Sequence, residues 1–183
     1  QLSKDPHRPK YHFTSPECSL NDPNGLCYFK GMWHLFYQGK PVEDSRVHWG
    51  HAISRDLVHW KDLPYAIYPN PERCCYSGST LVEDDRVIAM YHGTEVGNMV
   101  AIAHDDLLLN WEKVTDDAVI RNDSVDFAHV DYPIFDPCIW KKDGWYYSLS
   151  GSSVPHSPGL QRRDGRSPGR PRPAPSAGRH RRR

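Results

Sequence analysis

At 183 residues the chain is long enough for one domain or for a piece of a larger one. The formal net charge of zero hides an imbalance: from Ser152 onward there are nine Arg and one Asp, so this tail carries +8 and the residues before it −8. No apolar run approaches the roughly 18 residues of a membrane-crossing helix, so no membrane partner is expected.

Taken in chain order, the predicted elements are strands. Gln1 in place of Met suits a processed or excised chain, which favours a secreted or periplasmic setting over a cytoplasmic one. Asn21-Asp22-Pro23-Asn24-Gly25 packs turn formers together. Residues 26–29 and 32–37 then flank Lys30-Gly31 as a first hairpin. Residues 79–82 and 86–91 form a second around Glu83-Asp84-Asp85, and residues 138–140 and 145–149 a third. The Trp and Tyr side chains of these runs (Trp33, Tyr37, Trp60, Trp111, Trp140, Trp145) are expected in the core. From Ser157 onward the text has one Leu, no aromatic residue and dense Pro, Gly and Arg, which cannot bury enough apolar surface to fold. Residues 152–183 are therefore read as a disordered tail, a read-through or otherwise non-native end rather than an arm for nucleic acid. Residues 1–151 are the folded part.

The hairpins repeat. "DPNGLCYFKGMWHLFY" and "DPCIWKKDGWYYSL" both run Asp-Pro, strand, turn Gly, aromatic strand, with Asp22 and Asp136 114 residues apart and Ser77-Gly78-Ser79 near the midpoint. "AISRDLVHW" and "AIAHDDLLLNW" form a second series, their final Trp60 and Trp111 51 residues apart. A period of 50–57 residues with about four short strands predicts an all-β fold of the β-propeller type, with two and a half to three blades in this chain. An unrelated β-sandwich is the alternative. In a propeller the first strand of each blade borders the central channel, so Asp22 and Asp136 are expected to start such strands and face a shared pocket.

Carboxylates from different blades in an aromatic-rich pocket suit sugar binding and glycoside cleavage, in which one carboxylate attacks and a second group protonates the leaving oxygen. Asp22 is the candidate nucleophile, kept ionised by neighbouring N–H donors. Asp136 is cast as an acceptor for substrate hydroxyls. This chemistry needs no cofactor. His48 and His51 lie three apart on a predicted strand and so face opposite sides, which argues against a metal site. Cys18, Cys27, Cys74, Cys75 and Cys138 contain no CxxC pair, and an odd count fits free buried thiols.

"NDPNG", "FYQ", "HWGHAISRDLVHW" and "YSGS", preceded by "YHFTSPE", resemble in order and spacing the motifs of glycoside hydrolase family 32, the invertase, levanase and inulinase family, over residues 7–151. The resemblance implies a five-bladed catalytic propeller that cleaves β-fructosidic bonds of sucrose or fructans by a retaining mechanism. It maps the nucleophile to Asp22 and a transition-state stabiliser to Asp136. It assigns Asn21, Gln38, Trp49, Tyr76 and Ser77 to the fructose subsite. The implied partner is a fructose-containing oligo- or polysaccharide.

The sequence departs from the family pattern in three places. Ser19-Leu20 replaces Trp-Met before the first motif, and Phe135 replaces the Arg of Arg-Asp-Pro. The Glu-Cys motif that carries the family's general acid has no counterpart, and Asp164 in the Arg-rich tail is a poor substitute. The chain alone is therefore expected to be inactive. Two rival readings are a propeller glycosidase for arabinose- or xylose-containing chains and a non-catalytic carbohydrate-binding propeller.

Overall fold

The structure, a computed structural model, describes residues 4–9, 12–122 and 134–152. Beyond Ser152 the expected tail lies outside the described residues, Asp164 with it.

Alternating side chains and tight turns give eleven strands among the described residues: β1 (Cys18–Phe29), β2 (Met32–Pro41), β3 (His48–Ser54), β4 (Trp60–Ile67), β5 (Cys75–Val82), β6 (Val87–Gly93), β7 (Gly97–Ala103), β8 (Trp111–Lys113), β9 (Ile120–Arg121), β10 (Ile134–Lys142) and β11 (Trp145–Ser152). They form an antiparallel meander β1-β2-β3-β4, a second meander β5-β6-β7-β8 with β9 also paired to β7, and the hairpin β10-β11. These are two blades of a β-propeller and the opening hairpin of a third.

The first strands of the three sheets lie side by side. The Thr80 hydroxyl on β5 donates to the Gly25 carbonyl of β1 at 2.8 Å. Ser79 Oγ donates to the Pro137 carbonyl and accepts from the Ile139 N–H of β10, both at 3.0 Å. Each bond gives a backbone group at a blade junction a side-chain partner from the neighbouring sheet.

The repeat read from Trp60 and Trp111 is a repeated clasp. In the β3–β4 and β7–β8 connections an Asp side chain caps the turn: Asp56 accepts from the Val58 and His59 N–H groups, Asp105 from those of Leu109 and Asn110. A leucine follows in the left-handed region, Leu57 at φ 65° and Leu108 at φ 52°. Three residues later the indole N–H donates back to that leucine's carbonyl, at 3.1 Å from Trp60 and 2.8 Å from Trp111.

The core lies under both complete sheets, where β3 and β6 are buried along their whole length. Phe36, Trp49, Tyr91, Met99 and Leu108 are its large fully buried members. The aromatic expectation is corrected in part. Tyr37 is buried, Trp33, Trp60 and Trp111 are half-buried, and Trp140 and Trp145 are exposed at 39% and 72%. The two exposed tryptophans sit on the third sheet, which among the described residues has two strands and no outer ones to cover them. All five cysteines are free, but the burial expectation is corrected: Cys27 and Cys75 are buried, Cys18 and Cys74 half-buried and Cys138 exposed.

One charged pair is sealed inside the second blade. Glu72, 1% exposed, meets Lys113 Nζ at 2.6 Å and accepts from the Tyr91 hydroxyl at 2.7 Å. The same ammonium reaches the Tyr68 carbonyl at 2.9 Å, so β8 is tied to the chain between β4 and β5.

Candidate functional site

The sequence reading expected Asp22 and Asp136 to start their strands; instead Asp22 lies four residues and Asp136 two residues inside, each at a β-bulge. Between the pairs Leu20↔Gly39 and Pro23↔Tyr37, Asn21 and Asp22 together face Gln38. Between Cys75↔Gly93 and Gly78↔Tyr91, Tyr76 and Ser77 face His92. Between Phe135↔Gly151 and Cys138↔Leu149, Asp136 and Pro137 face Ser150. One extra residue at the same place in three sheets bends each strand and re-aims two consecutive side chains.

The registers also correct an equivalence. Counting from the last regular pair, Asp136 occupies the position of Asn21 and Tyr76, one residue before that of Asp22. Its backbone is distinct as well, with φ at 49°. A left-handed residue turns its side chain away from the ordinary strand direction, so shared Asp-Pro letters do not mean shared geometry.

Around Asp22 the bulges of the first two blades meet. The Ser77 hydroxyl donates to Asp22 Oδ2 at 2.7 Å, and Gln38 Nε2 donates to the same oxygen at 3.3 Å and to Ser77 Oγ at 2.7 Å. Asn21 Nδ2 donates to Gln38 Oε1 at 3.0 Å, which fixes the amide orientation. Side-chain donors, rather than the backbone N–H groups expected from the turn, therefore hold Asp22. Among the described residues Asp22 Oδ1 has no hydrogen-bond donor, so one carboxylate oxygen is anchored and the other is available.

Trp49 is fully buried, packed on Phe36 and Tyr91 at ring separations of 5.8 and 5.5 Å. Its indole N–H donates to the Tyr76 carbonyl at 2.9 Å, so it props up the second bulge from below instead of presenting a surface to a ligand. Tyr76 is 40% exposed and lies at the rim. A cavity of about 210 Å³ opens beside Asn21 and Gln38, walled by Ser19, Leu20, Lys40 and Val47. A larger apolar groove of about 340 Å³ runs between β6–β7 and β11. It lacks the acids and is inter-blade packing space.

The structure thus brings together Asn21, Asp22, Gln38 and Ser77, with Tyr76 and Trp49 adjoining. Asp136 is exposed and no hydrogen bond among the described residues joins it to this cluster. Sequence reasoning missed His92. Its signal is a triplet shared by the second strands, Tyr37-Gln38-Gly39, Tyr91-His92-Gly93 and Leu149-Ser150-Gly151, whose middle residue always faces the bulge. Among the described residues no group of three or more His, Cys, Asp or Glu is arranged to hold a metal ion.

Bulged first strands that gather an acid, amides and hydroxyls at the blade junctions define a propeller with a polar site built from its innermost strands. Residues 12–160 match the glycosyl hydrolases family 32 N-terminal domain, and the chain belongs to that family. It is 38% identical over 131 residues to the levanase of Bacillus subtilis (strain 168), covering 63% of this chain and 19% of the levanase. It is 32% identical over 165 residues to the sucrose-6-phosphate hydrolase of the same organism, covering 83% and 33%. The Bombyx mori GH32 beta-fructofuranosidase superposes with a TM-score of 0.68 at 33% identity, covering 81% of this chain and 33% of that one. The chain therefore spans a third or less of the length of these relatives.

Proposed function

We propose that residues 1–151 form the N-terminal part of a retaining β-fructosidase site that acts on sucrose or a fructan, with residues 152–183 a tail outside it. The observation that carries this reading is the anchoring of Asp22. Ser77 and Gln38 hold Oδ2, and Oδ1 keeps a lone pair for the anomeric carbon of a fructosyl unit. Attack forms the carbon–Oδ1 bond as the glycosidic carbon–oxygen bond breaks, and the leaving oxygen takes a proton from a carboxylic acid. Water then reverses the first step and releases fructose. Asp136 accepts hydrogen bonds from sugar hydroxyls, Asn21, Gln38 and Tyr76 border the fructose ring, and Trp49 holds Tyr76 in place. No glutamate among the described residues is hydrogen-bonded to Asp22, and the proton donor is taken to be a glutamate outside this sequence.

Calorimetric titration with sucrose and a fructo-oligosaccharide, with fructose release assayed on the same sample, tests the reading. Binding without release is expected, weakened about tenfold by Gln38→Ala, a loss of roughly 1.4 kcal/mol. Absence of binding to every fructoside overturns the sugar site. Fructose release that Asp22→Ala abolishes overturns the missing acid.

A further inference from the structure

Asn24, a turn former by its sequence, is a strand residue of β1, paired with Phe36 just beyond the first bulge. It is 2% exposed, so its amide needs partners inside the protein. The neighbours fix which way that amide points. Oδ1 accepts from the Trp49 indole N–H at 3.2 Å, and Nδ2 donates to the Pro23 carbonyl at 3.3 Å. The reverse orientation would set oxygen against the carbonyl and nitrogen against the N–H.

The same indole N–H donates to the Tyr76 carbonyl on β5 at 2.9 Å. One donor is thus shared, in a three-centre bond, between an acceptor of the first blade and one of the second. Both ends of this strut adjoin the candidate site. Pro23 follows Asp22 in the chain, Tyr76 precedes Ser77, and the Ser77 hydroxyl donates to Asp22 at 2.7 Å. The contacts close a ring that runs Asp22, Pro23, Asn24, Trp49, Tyr76, Ser77 and back to Asp22. One side of it is the acid–hydroxyl bond, and the other is the buried pair of amide and indole. Beyond the ring the two strands already touch. Thr80 donates to the Gly25 carbonyl at 2.8 Å, and a Cβ on Gly25, at φ 47°, would lie 2.5 Å from Thr80 Cγ2. The seam between β1 and β5 is therefore pinned on that side, which leaves the strut to set the spacing where the acid sits.

We propose that Asn24 is a positioning residue: acting through Trp49, it sets the spacing of the first two bulges and so holds Ser77 against Asp22 for a fructosyl unit. The purpose rests on the sugar-binding reading, and the strut rests on the fold alone. Asn24→Leu keeps the volume, leaves the indole N–H to the Tyr76 carbonyl and unties β1 from it. Trp49→Phe removes the shared donor itself.

Two measurements on the full 183-residue chain test this. In proton–nitrogen NMR spectra, Asn24→Leu should move the Trp49 indole resonance and, with it, the backbone N–H resonances of Tyr76 and Ser77 across the blade junction. Where that variant does not fold, Trp49→Phe should move the Asn24 side-chain amide resonances together with those of Ser77. Ser77 resonances that stay in place overturn the proposal. Calorimetric titration with a fructo-oligosaccharide should show Asn24→Leu and Trp49→Phe each about threefold weaker or more, and the double variant about as weak as the weaker single. Losses that multiply in the double variant, or a loss below about threefold in Asn24→Leu, overturn the action through Trp49. If the unsubstituted chain binds no fructoside while Tyr76 and Ser77 still follow Asn24, the sugar-site reading fails and the positioning of Ser77 against Asp22 stands.

Discussion

Ser77 and Gln38 converge on one oxygen of Asp22, so the acid has a single supported direction. Gln38→Leu keeps the volume but removes the bonds to Asp22, Ser77 and Asn21; Ser77 keeps Asp22 and the exposed Asn21 amide turns to water, so the cost in urea unfolding is about 1 kcal/mol. Away from the site, the buried histidines His34 and His51 share one hydrogen bond of 3.0 Å, and the other nitrogen of each lacks a partner among the described residues. Burial, reinforced by the neighbouring His34, lowers the His51 pKa to about 3, and burial lowers that of His34 as well. The unfolded chain takes up these protons near pH 6.5, whereas the folded chain resists them. Stability is therefore full above pH 6.5 and falls as pH drops, by about 1 kcal/mol from His51 at pH 5.5, with His34 acting in the same direction. Urea midpoints at pH 7.5 and 5.5 check this, and His51→Gln should flatten the slope. Residue chemistry was legible in the sequence only where letters matched a pattern. Asp22 stood out through its neighbours, whereas His92 lies in a triplet whose three copies share only the final Gly.

At the scale of the element, each site strand is defined by its irregularity. Gly78 follows the second bulge, and a Cβ there would lie 2.1 Å from the Met90 carbonyl oxygen and 2.6 Å from Tyr91 Cα. Backbone cannot rotate aside as a side chain can, so Gly78→Ala is expected to cost 1–3 kcal/mol or more, roughly the range for overpacking, measured by chemical denaturation. Lys113→Ala should cost about 3–5 kcal/mol, because it leaves the buried Glu72 without its ion-pair partner. The hairpins were legible because period-two patterns and turn residues are local. The bulges were not, because a bulge is a relation between two strands and no single strand's sequence displays it. That is why Asp136 was matched to Asp22 by letters while the ladder places it opposite Ser150.

For the whole molecule, the repeat was legible and the state of its third member was not. The clasps at Trp60 and Trp111 and the junction bonds of Ser79 and Thr80 give two blades a covered interior. The β10–β11 hairpin lacks that cover, with Trp145 at 72%, Leu149 at 69% and Tyr147 at 44% exposure. Beyond the Ser79 and Asn98 bonds, its turn end is tied by Glu83, which takes Lys141 and the Tyr146 hydroxyl at 2.9 Å while pairing with Arg86 of its own turn at 2.7 Å. Those partners, Lys141 first, hold the Glu83 pKa at about 2. An exposed apolar face of this kind promotes association. The chain is expected to self-associate with rising concentration in sedimentation velocity, and Trp145→Lys with Leu149→Lys should suppress it. A monomer at all concentrations would contradict the prediction.

The side-by-side order of β1, β5 and β10 has a consequence for what can enter. Asp22 and Asp136 stand on either side of the first strand of the second blade. A molecule that touches both must span the Tyr76–Ser77 bulge between them, and a guest too short to do so meets one acid or the other.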